Sequence, residues 1–301
     1  MNTTQSASDS ISNNPKRFKK RGQWISILRR YKKNKLAMFG LVLFITLVSI
    51  CLSAPLFADY EEDAIAHNMY ARNMPPSSEH LFGTDRFGRD IFARIIYGGR
   101  ISIFVGVITV SIAALAGTII GSTAGYFGGW VDSAIMRVMD VFLAIPAQLM
   151  AITIVAVLGP SLMNLLISMS ISSAPRFSRI VRSAIMSVRG NEFVEAARAY
   201  STKHPRIIMR HIIPNSIGPI IVQASLNVAQ TIITVASMSF IGLGIQSPTP
   251  EWGTMLSEGK DVMRYHPHMV FIPGIAIILA VMSINLIGDG LRDAFDPKMK
   301  N

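Results

Sequence analysis

Long apolar segments, separated by shorter charged ones, dominate the pattern of hydrophobic and polar positions along the chain. The first runs from Leu36 to Phe57, the second from Ile101 to Val131, and a further uncharged stretch covers 141–175. An α-helix needs about 20 apolar residues to cross about 30 Å of hydrocarbon. The pattern therefore predicts an all-α, polytopic membrane protein.

Turn signals and two later apolar runs bring the predicted number of transmembrane helices to six. The sequence Gly-Pro-Ser at 159–161 divides the third stretch into a hairpin, whose helices begin near Val131 and end near 176–179. Asn215–Leu243 and Met269–Gly288 supply the fifth and sixth helices.

The distribution of basic residues predicts which segments face the cytoplasm. Ten Lys and Arg lie between Lys16 and Lys35 and eight between 176 and 213, and cytoplasmic flanks carry such an excess. Both termini are then cytoplasmic. The predicted organisation begins with a cytoplasmic basic tail at 1–35, flexible to about residue 23, and a first transmembrane helix at 36–57. An extracytoplasmic loop follows at 58–100, with no apparent site and with a short helix near 91–97. A five-helix core at 101–290 contains a cytoplasmic loop at about 180–213, and a cytoplasmic tail at 291–301 completes the prediction.

Composition agrees with a membrane protein and argues against a nucleic-acid partner. The chain is 50% hydrophobic and 16% charged, with a mean hydropathy of +0.40. Its net charge of +11 comes largely from residues that flank apolar runs, so the positive-inside rule explains it without nucleic acid. The single cysteine, Cys51, lies in the first apolar run and is expected to be an inert buried thiol.

The chain lacks the motifs by which a transporter would power itself. No Asp, Glu, His or Arg falls in the middle of a predicted span, as proton coupling requires. The segment 253–260 has the wrong spacing for a phosphate-binding loop. His266 and His268 stand without other metal ligands, so we expect no metal site. We therefore expect a non-catalytic chain that binds no cofactor and receives energy from another protein.

A pair of short amphipathic helices is predicted within the positive 176–213 segment. The first is followed by a turn at 201–204, Pro205 begins the second, and Pro214 ends it. On pattern alone the pair is either a solvated connector or a docking element. The first helix places Phe193, Ala196, Ala197 and Tyr200 on one face and Glu192, Glu195 and Arg198 on the other.

A stripe of uncharged polar residues follows one side of the fifth predicted span. At 100° per residue, its five members fall within about 40° of one helical line. Such groups are costly in lipid, so they face either a wet translocation path, which we favour, or hydrogen-bonding groups on neighbouring spans. The members are Gln223, Asn227, Gln230, Thr234 and Ser237.

Several segments resemble a known transporter family. Glu195-Ala196-Ala197, followed by Ile-Ile-Pro at 212–214, resembles the EAA loop of ABC importer permeases. The segments at 80–90, 157–160, 239–244, 250–253 and 285–293 resemble the C-type permease of dipeptide and oligopeptide importers. The resemblance covers about residues 35–297, nearly the whole chain.

This resemblance implies a type I ABC importer permease fold and a place in a larger complex in the bacterial cytoplasmic membrane. The expected partners are a second, similar permease, two ATP-binding subunits that use ATP and Mg, an extracytoplasmic binding protein and membrane lipid. The implied substrates are dipeptides or oligopeptides, with nickel, metal chelates or glutathione as the alternative. If the chain does not take part in active transport, the remaining hypothesis is a passive channel or scaffold. The residues implied in ATPase coupling are Glu195, Ala196, Ala197, Ser201, His204, Pro205, Arg206 and Pro214.

One position departs from the family pattern, because Ser201 stands where glycine is usual between the two short helices. Glycine adopts positive φ at little cost, whereas serine does not. We therefore expect a differently built turn.

Overall fold

Helices account for nearly all regular structure in the computed structural model, which describes residues 21–296. Within that range there is no β-strand, only an isolated bridge between Thr84 and Asp90. The α-helices are α1 (Arg21–Lys33), α2 (Lys35–Leu52), α3 (Ile91–Phe127), α4 (Gly129–Leu143), α5 (Ala147–Leu158), α6 (Leu162–Val188), α7 (Glu192–Ala199), α8 (His204–Ile207), α9 (Ile213–Phe240), α10 (Trp252–Gly259) and α11 (His268–Phe295).

By length and hydropathy, the described residues contain four clear spanning helices and one bent candidate. The four are Lys35–Leu52, Ile91–Phe127, His204–Phe240 and His268–Phe295, and α4 with α5 forms the bent pair. The remaining predicted span corresponds to α6, whose arginines make it more polar. The all-α polytopic fold is confirmed, while the total of six spans and the cytoplasmic termini stay predictions.

The second span begins ten residues earlier than predicted. Asp90 caps α3 by accepting a hydrogen bond from the Ala93 N–H, so 91–100 is the start of this helix instead of loop. The charges there are satisfied: Arg94 is buried among ion-pair partners, and Arg100 donates to the carbonyls of Cys51 and Leu52, both at 2.6 Å. The prediction placed both arginines in the extracytoplasmic segment 58–100, with Arg94 in its short helix near 91–97.

The hairpin helices also differ from the prediction. The third helix breaks before Pro146, and α4 and α5 meet at a bend of 78°. Proline has no N–H to donate and disfavours helical geometry in the preceding residue. Helix α6 continues beyond the predicted end at 176–179 to Val188, because α4 supplies carboxylate partners for two of its arginines.

The basic tail and the end of the second short helix need correction as well. Residues 21–33 form α1, which packs through Tyr31 against Ala37 and Ala294; residues 1–20 and 297–301, which complete the predicted tails, lie outside the described range. Pro214 does not end a helix. A π-helical turn at 208–212 ends with the Ile213 N–H bonded to the Ile208 carbonyl, and the proline then lies in the first turn of α9.

Small residues bring α3 and α6 into close contact. The spacing of Gly117, Gly121 and Gly125 predicts helix packing, and the structure confirms it. A Cβ at Gly117 would collide with Phe177, and one at Gly121 with the Ser178 carbonyl. The close packing of α3 against α6 therefore depends on these glycines.

Buried ion pairs hold together the end of the bundle at which the 53–90 loop and α10 meet, termed the loop end. Arg89 donates to Asp85 and Glu258, each at 2.7 Å, and Arg94 donates to Glu258 at 3.0 Å. Both arginines are at most 1% exposed. Sequence spacing gives no sign that Glu258 meets residues more than 160 positions earlier, so these pairs were not predicted.

Candidate coupling surface and translocation path

The opposite end of the bundle, termed the coupling end, carries α7, the 200–203 turn and α8. Ser201 has φ +52°, the left-handed conformation that glycine favours. The Ser201 N–H bonds to the Arg198 carbonyl at 2.9 Å, and the Thr202 N–H bonds to the Ala197 carbonyl at 3.3 Å. These two bonds are the Schellman pattern of helix ends. The expectation of a differently built turn is wrong: serine adopts the backbone that glycine would.

An aliphatic cluster fixes this helix pair to the bundle. Val194 and Ala197 of α7 and Ile207 of α8 are buried with Tyr126, the penultimate residue of α3, and with side chains of α6 and α9. The Tyr126 hydroxyl lies 2.8 Å from His204 Nδ1, a hydrogen bond between α3 and α8. A displacement of α7 and α8 must therefore move three long helices.

The outer face of the pair remains open. Phe193 is 40% exposed, Tyr200 85% and Met209 69%. The predicted apolar face of α7 thus divides, because Ala197 turns inward while Phe193, Ala196 and Tyr200 face outward. Large apolar groups beside exposed charges are typical of a protein-binding surface.

Most of the residues assigned to ATPase coupling share this surface. Glu195 and His204 line a cavity of about 530 Å³ with Tyr126, Phe127 and Arg198. Glu195 forms no ion pair within residues 21–296. Ala197 is the buried exception, and Pro214 is exposed but belongs to α9. The remaining exposed members are Ala196, Ser201, Pro205 and Arg206.

The polar stripe of α9 divides between different surroundings. Asn227, Gln230 and Thr234 line a cavity of about 390 Å³, closed on its other sides by the α4–α5 break and by α6. Gln223 instead lines a cavity of about 630 Å³ beside α1 and α11. Ser237 lies outside both cavities. The structure therefore brings together three of the five predicted path residues.

Within residues 21–296, the side-chain hydrogen bonds of three stripe members stay within their own helix. Asn227 donates to the Gln223 carbonyl at 2.9 Å, and Thr234 donates to the Gln230 carbonyl at 2.9 Å. Ser237 donates to the Ile233 carbonyl at 2.8 Å. These bonds give no support to the alternative that the stripe exists to bind neighbouring helices.

Sequence reasoning missed the ion pairs between α4 and α6. Arg182 donates to both oxygens of Asp132 at 2.5 Å, and Arg179 donates to Asp140 at 2.7 Å. The signal was present in the three-residue spacing of arginines at 176, 179 and 182. It was assigned to the flank of a span because the apolar run ends there.

Solved structures share this arrangement of helices. The inward-facing MetNI methionine ABC transporter matches 67% of this chain and 97% of its own with a TM-score of 0.56 at 13% identity. An amino acid ABC transporter described "with histidines" matches 66% of this chain and 92% of its own with a TM-score of 0.52 at 17% identity. These likenesses concern the fold alone, which is that of a type I ABC importer permease.

Sequence relatives then define the family. The chain belongs to the binding-protein-dependent transport system inner membrane components, whose family profile matches residues 117–301. The N-terminal transmembrane domain of oligopeptide transport permease C matches residues 22–76. It is thus a non-catalytic, multi-pass inner-membrane permease that works with ATPase and substrate-binding partners.

Three curated relatives cover almost the full length. The dipeptide transport system permease protein DppC of Alkalihalophilus pseudofirmus is 49% identical over 280 residues, 92% of this chain and 91% of the relative. The glutathione transport system permease protein GsiD of Pectobacterium atrosepticum is 41% identical, covering 93% of each chain. The oligopeptide transport system permease protein OppC of Bacillus subtilis is 39% identical, covering 92% and 90%.

Proposed function

We propose that this chain forms half of the membrane path of an ATP-driven importer of dipeptides or oligopeptides. A second, similar permease supplies the other half, two ATP-binding subunits hydrolyse ATP with Mg, and an extracytoplasmic binding protein delivers the substrate. The observation that carries the proposal is the open outer face of α7 and α8, attached to α3, α6 and α9 by a buried cluster. Support for a peptide substrate comes from the dipeptide and oligopeptide relatives.

The coupling end transmits force in this proposal. An ATPase that binds Phe193, Tyr200 and Met209 pushes α7 and α8 as the nucleotide sites close. Because Val194 and Ile207 are packed into the cluster, the push reaches α3, α6 and α9 and shifts the bundle between inward-open and outward-open states. Glu195 supplies an exposed charge for a basic group on the ATPase.

The cavity beside α9 is the proposed translocation path. Its amide side chains, Asn227 and Gln230, can hydrogen-bond to peptide backbone groups, which are the same in every peptide. Its volume of about 390 Å³ falls within the range of small-molecule sites. Selection among side chains then belongs to the binding protein.

ATP-dependent uptake by the reconstituted complex tests this function. Proteoliposomes with both permeases, both ATPases and saturating binding protein should accumulate a labelled dipeptide, and omission of any subunit should abolish uptake. Asn227→Leu with Gln230→Leu should reduce uptake several-fold. Ser111→Leu, on the exposed side of α3, is the matched control and should leave it unchanged.

Two results would contradict the proposal. Uptake that does not require ATP would indicate a passive channel, and unchanged uptake in the double variant would remove the path assignment. Glutathione is the second candidate substrate, favoured by the 41% identical relative, and competition of unlabelled glutathione with the dipeptide distinguishes the two.

A further inference from the structure

Three arginines at three-residue intervals on α6 have unequal partners. Arg182 makes two hydrogen bonds to Asp132, and Arg179 makes one to Asp140. Arg176, the next in the series, has no carboxylate within 4.0 Å in the described part of the chain. It lies near the middle of the 27-residue helix, well inside both of its ends.

The missing partner follows from the shape of α4. Its two acidic residues, Asp132 and Asp140, lie two turns apart on the side that faces α6. One turn further, the position is occupied by Ala144, and α4 has ended at Leu143 before the bend at Pro146. The series of Arg–Asp pairs therefore stops one arginine short, at the point where the helix bends away.

The bend opens the cavity that Arg176 lines. The same space is lined by Asn227, Gln230 and Thr234 of α9 and by Ser172 and Ser173 of α6, and none of the described residues around it is acidic. An ionised side chain inside a membrane protein is costly unless it is paired or lines an aqueous cavity, and such a residue marks a substrate path. Of the residues between 21 and 296 that line this cavity, Arg176 is the single charged one.

We infer that Arg176 binds the carboxylate of the passing substrate, which for a peptide is its C-terminal carboxylate. This inference rests on the proposed peptide-import function. A guanidinium binds a carboxylate through two parallel hydrogen bonds, and every unmodified peptide carries that group whatever its side chains. The side-chain amides of Asn227 and Gln230 lie in the same cavity, where they can hydrogen-bond to the peptide backbone. A bare divalent metal cation is repelled by this guanidinium.

The test compares a labelled dipeptide with its C-terminal amide in proteoliposomes that hold the whole complex and saturating binding protein. In Arg176→Gln, uptake of the free-acid peptide should fall about tenfold while uptake of the amide is unchanged. Arg176→Lys, which keeps the charge without the planar fork, should retain part of the preference. Because the same binding protein serves all variants, its own selectivity cancels when free-acid to amide ratios are compared.

Arg137→Gln is the matched control, since Arg137 is an exposed arginine of α4 that does not line the cavity. Its ratio should equal that of the unmodified complex. Equal losses for both peptides in Arg176→Gln, or no loss, would overturn the inference, and basal ATP hydrolysis reports whether the variant complex has assembled. If Arg176→Gln does not assemble, an Arg176→Lys ratio equal to the unmodified one overturns it. An unmodified complex that moves neither peptide contradicts the proposed function itself, and the inference falls with it.

Discussion

At the loop end of the bundle, Arg89 and Arg94 are buried and bonded to Asp85 and Glu258, whereas at the coupling end Glu195 and Arg206 are exposed. The first set of charges is satisfied within the chain. The second lies beside exposed Tyr200 and offers both charge and apolar area to another molecule. One end is thus stabilised by its own residues, while the other is the surface proposed to bind a partner.

The largest effect is expected from breaking the loop-end ion pairs. Glu258→Gln leaves two buried arginines with Asp85 as their carboxylate, and removal of one partner from a buried pair typically costs about 3–5 kcal/mol. The thermal midpoint of the purified complex should fall strongly. Asp261→Asn, which removes an exposed carboxylate 3.6 Å from Arg86, should cost less than about 0.5 kcal/mol. Equal effects would contradict the description of the loop end.

Acid should weaken the same end. Burial raises the pKa of Glu258, but the positive charges of Arg94 and Arg89 lower it by more than burial raises it. The pKa of Glu258 therefore lies below the usual 4.5. A carboxylate with a lowered pKa contributes full stability above its unfolded-state pKa, and the contribution is lost as pH falls through the folded-state value. Proteolysis of the 53–90 loop should therefore accelerate below about pH 4.5, and Glu258→Gln should lack that part of the pH dependence. A variant with the unmodified pH profile would contradict this assignment.

Removal of one tyrosine hydroxyl from each end sharpens the comparison. Tyr126→Phe removes the bond to His204, and Tyr97→Phe removes a 3.0 Å bond to the Ala58 carbonyl at the loop end. Each change should cost about 1 kcal/mol of stability. Tyr126→Phe alone should also reduce the transport obtained per ATP hydrolysed. A similar reduction in Tyr97→Phe would show that coupling does not depend on the attachment of α8.

The smallest expected effect is a gain in stability from a substitution in the 200–203 turn. Ser201→Gly should stabilise the protein by about 0.5–1 kcal/mol, because glycine adopts positive φ without the steric cost that serine bears. Ser187→Gly, in the last turn of α6, should instead destabilise it by about 0.5 kcal/mol as the reference. A loss of stability in Ser201→Gly would mean that the serine side chain makes a compensating contribution.

Hydropathy predicted the class of fold and the approximate positions of most spans, because each apolar run must cross the same thickness of hydrocarbon. Boundaries failed where charges were satisfied by distant residues: Arg94 extends α3 through Glu258, and Arg182 extends α6 through Asp132. No local pattern reports the first pair, and the arginine spacing on α6 gives a signal for the second without identifying its partner. The position of Pro146 did carry a local signal for the break in the third helix.

The candidate site was predicted unevenly. Periodicity placed Asn227, Gln230 and Thr234 on one line, and the structure places them in one cavity. Periodicity could not show that Gln223 lies in a different cavity, because the residues that close each cavity come from α1, α4 and α6. At the coupling end, periodicity identified α7 as amphipathic. It could not show which side chains of α7 face inward, because they pack against Tyr126 of α3, 68 positions before Val194.

Photo-cross-linking from the two ends tests most directly the claim that the coupling end binds the ATPase. A photoreactive residue replaces Tyr200, which is 85% exposed at the coupling end, or Tyr70, which is 97% exposed at the loop end, in the assembled complex. The account predicts an adduct with an ATP-binding subunit from position 200 and none from position 70. An ATPase adduct from position 70, or its absence from position 200, would contradict it.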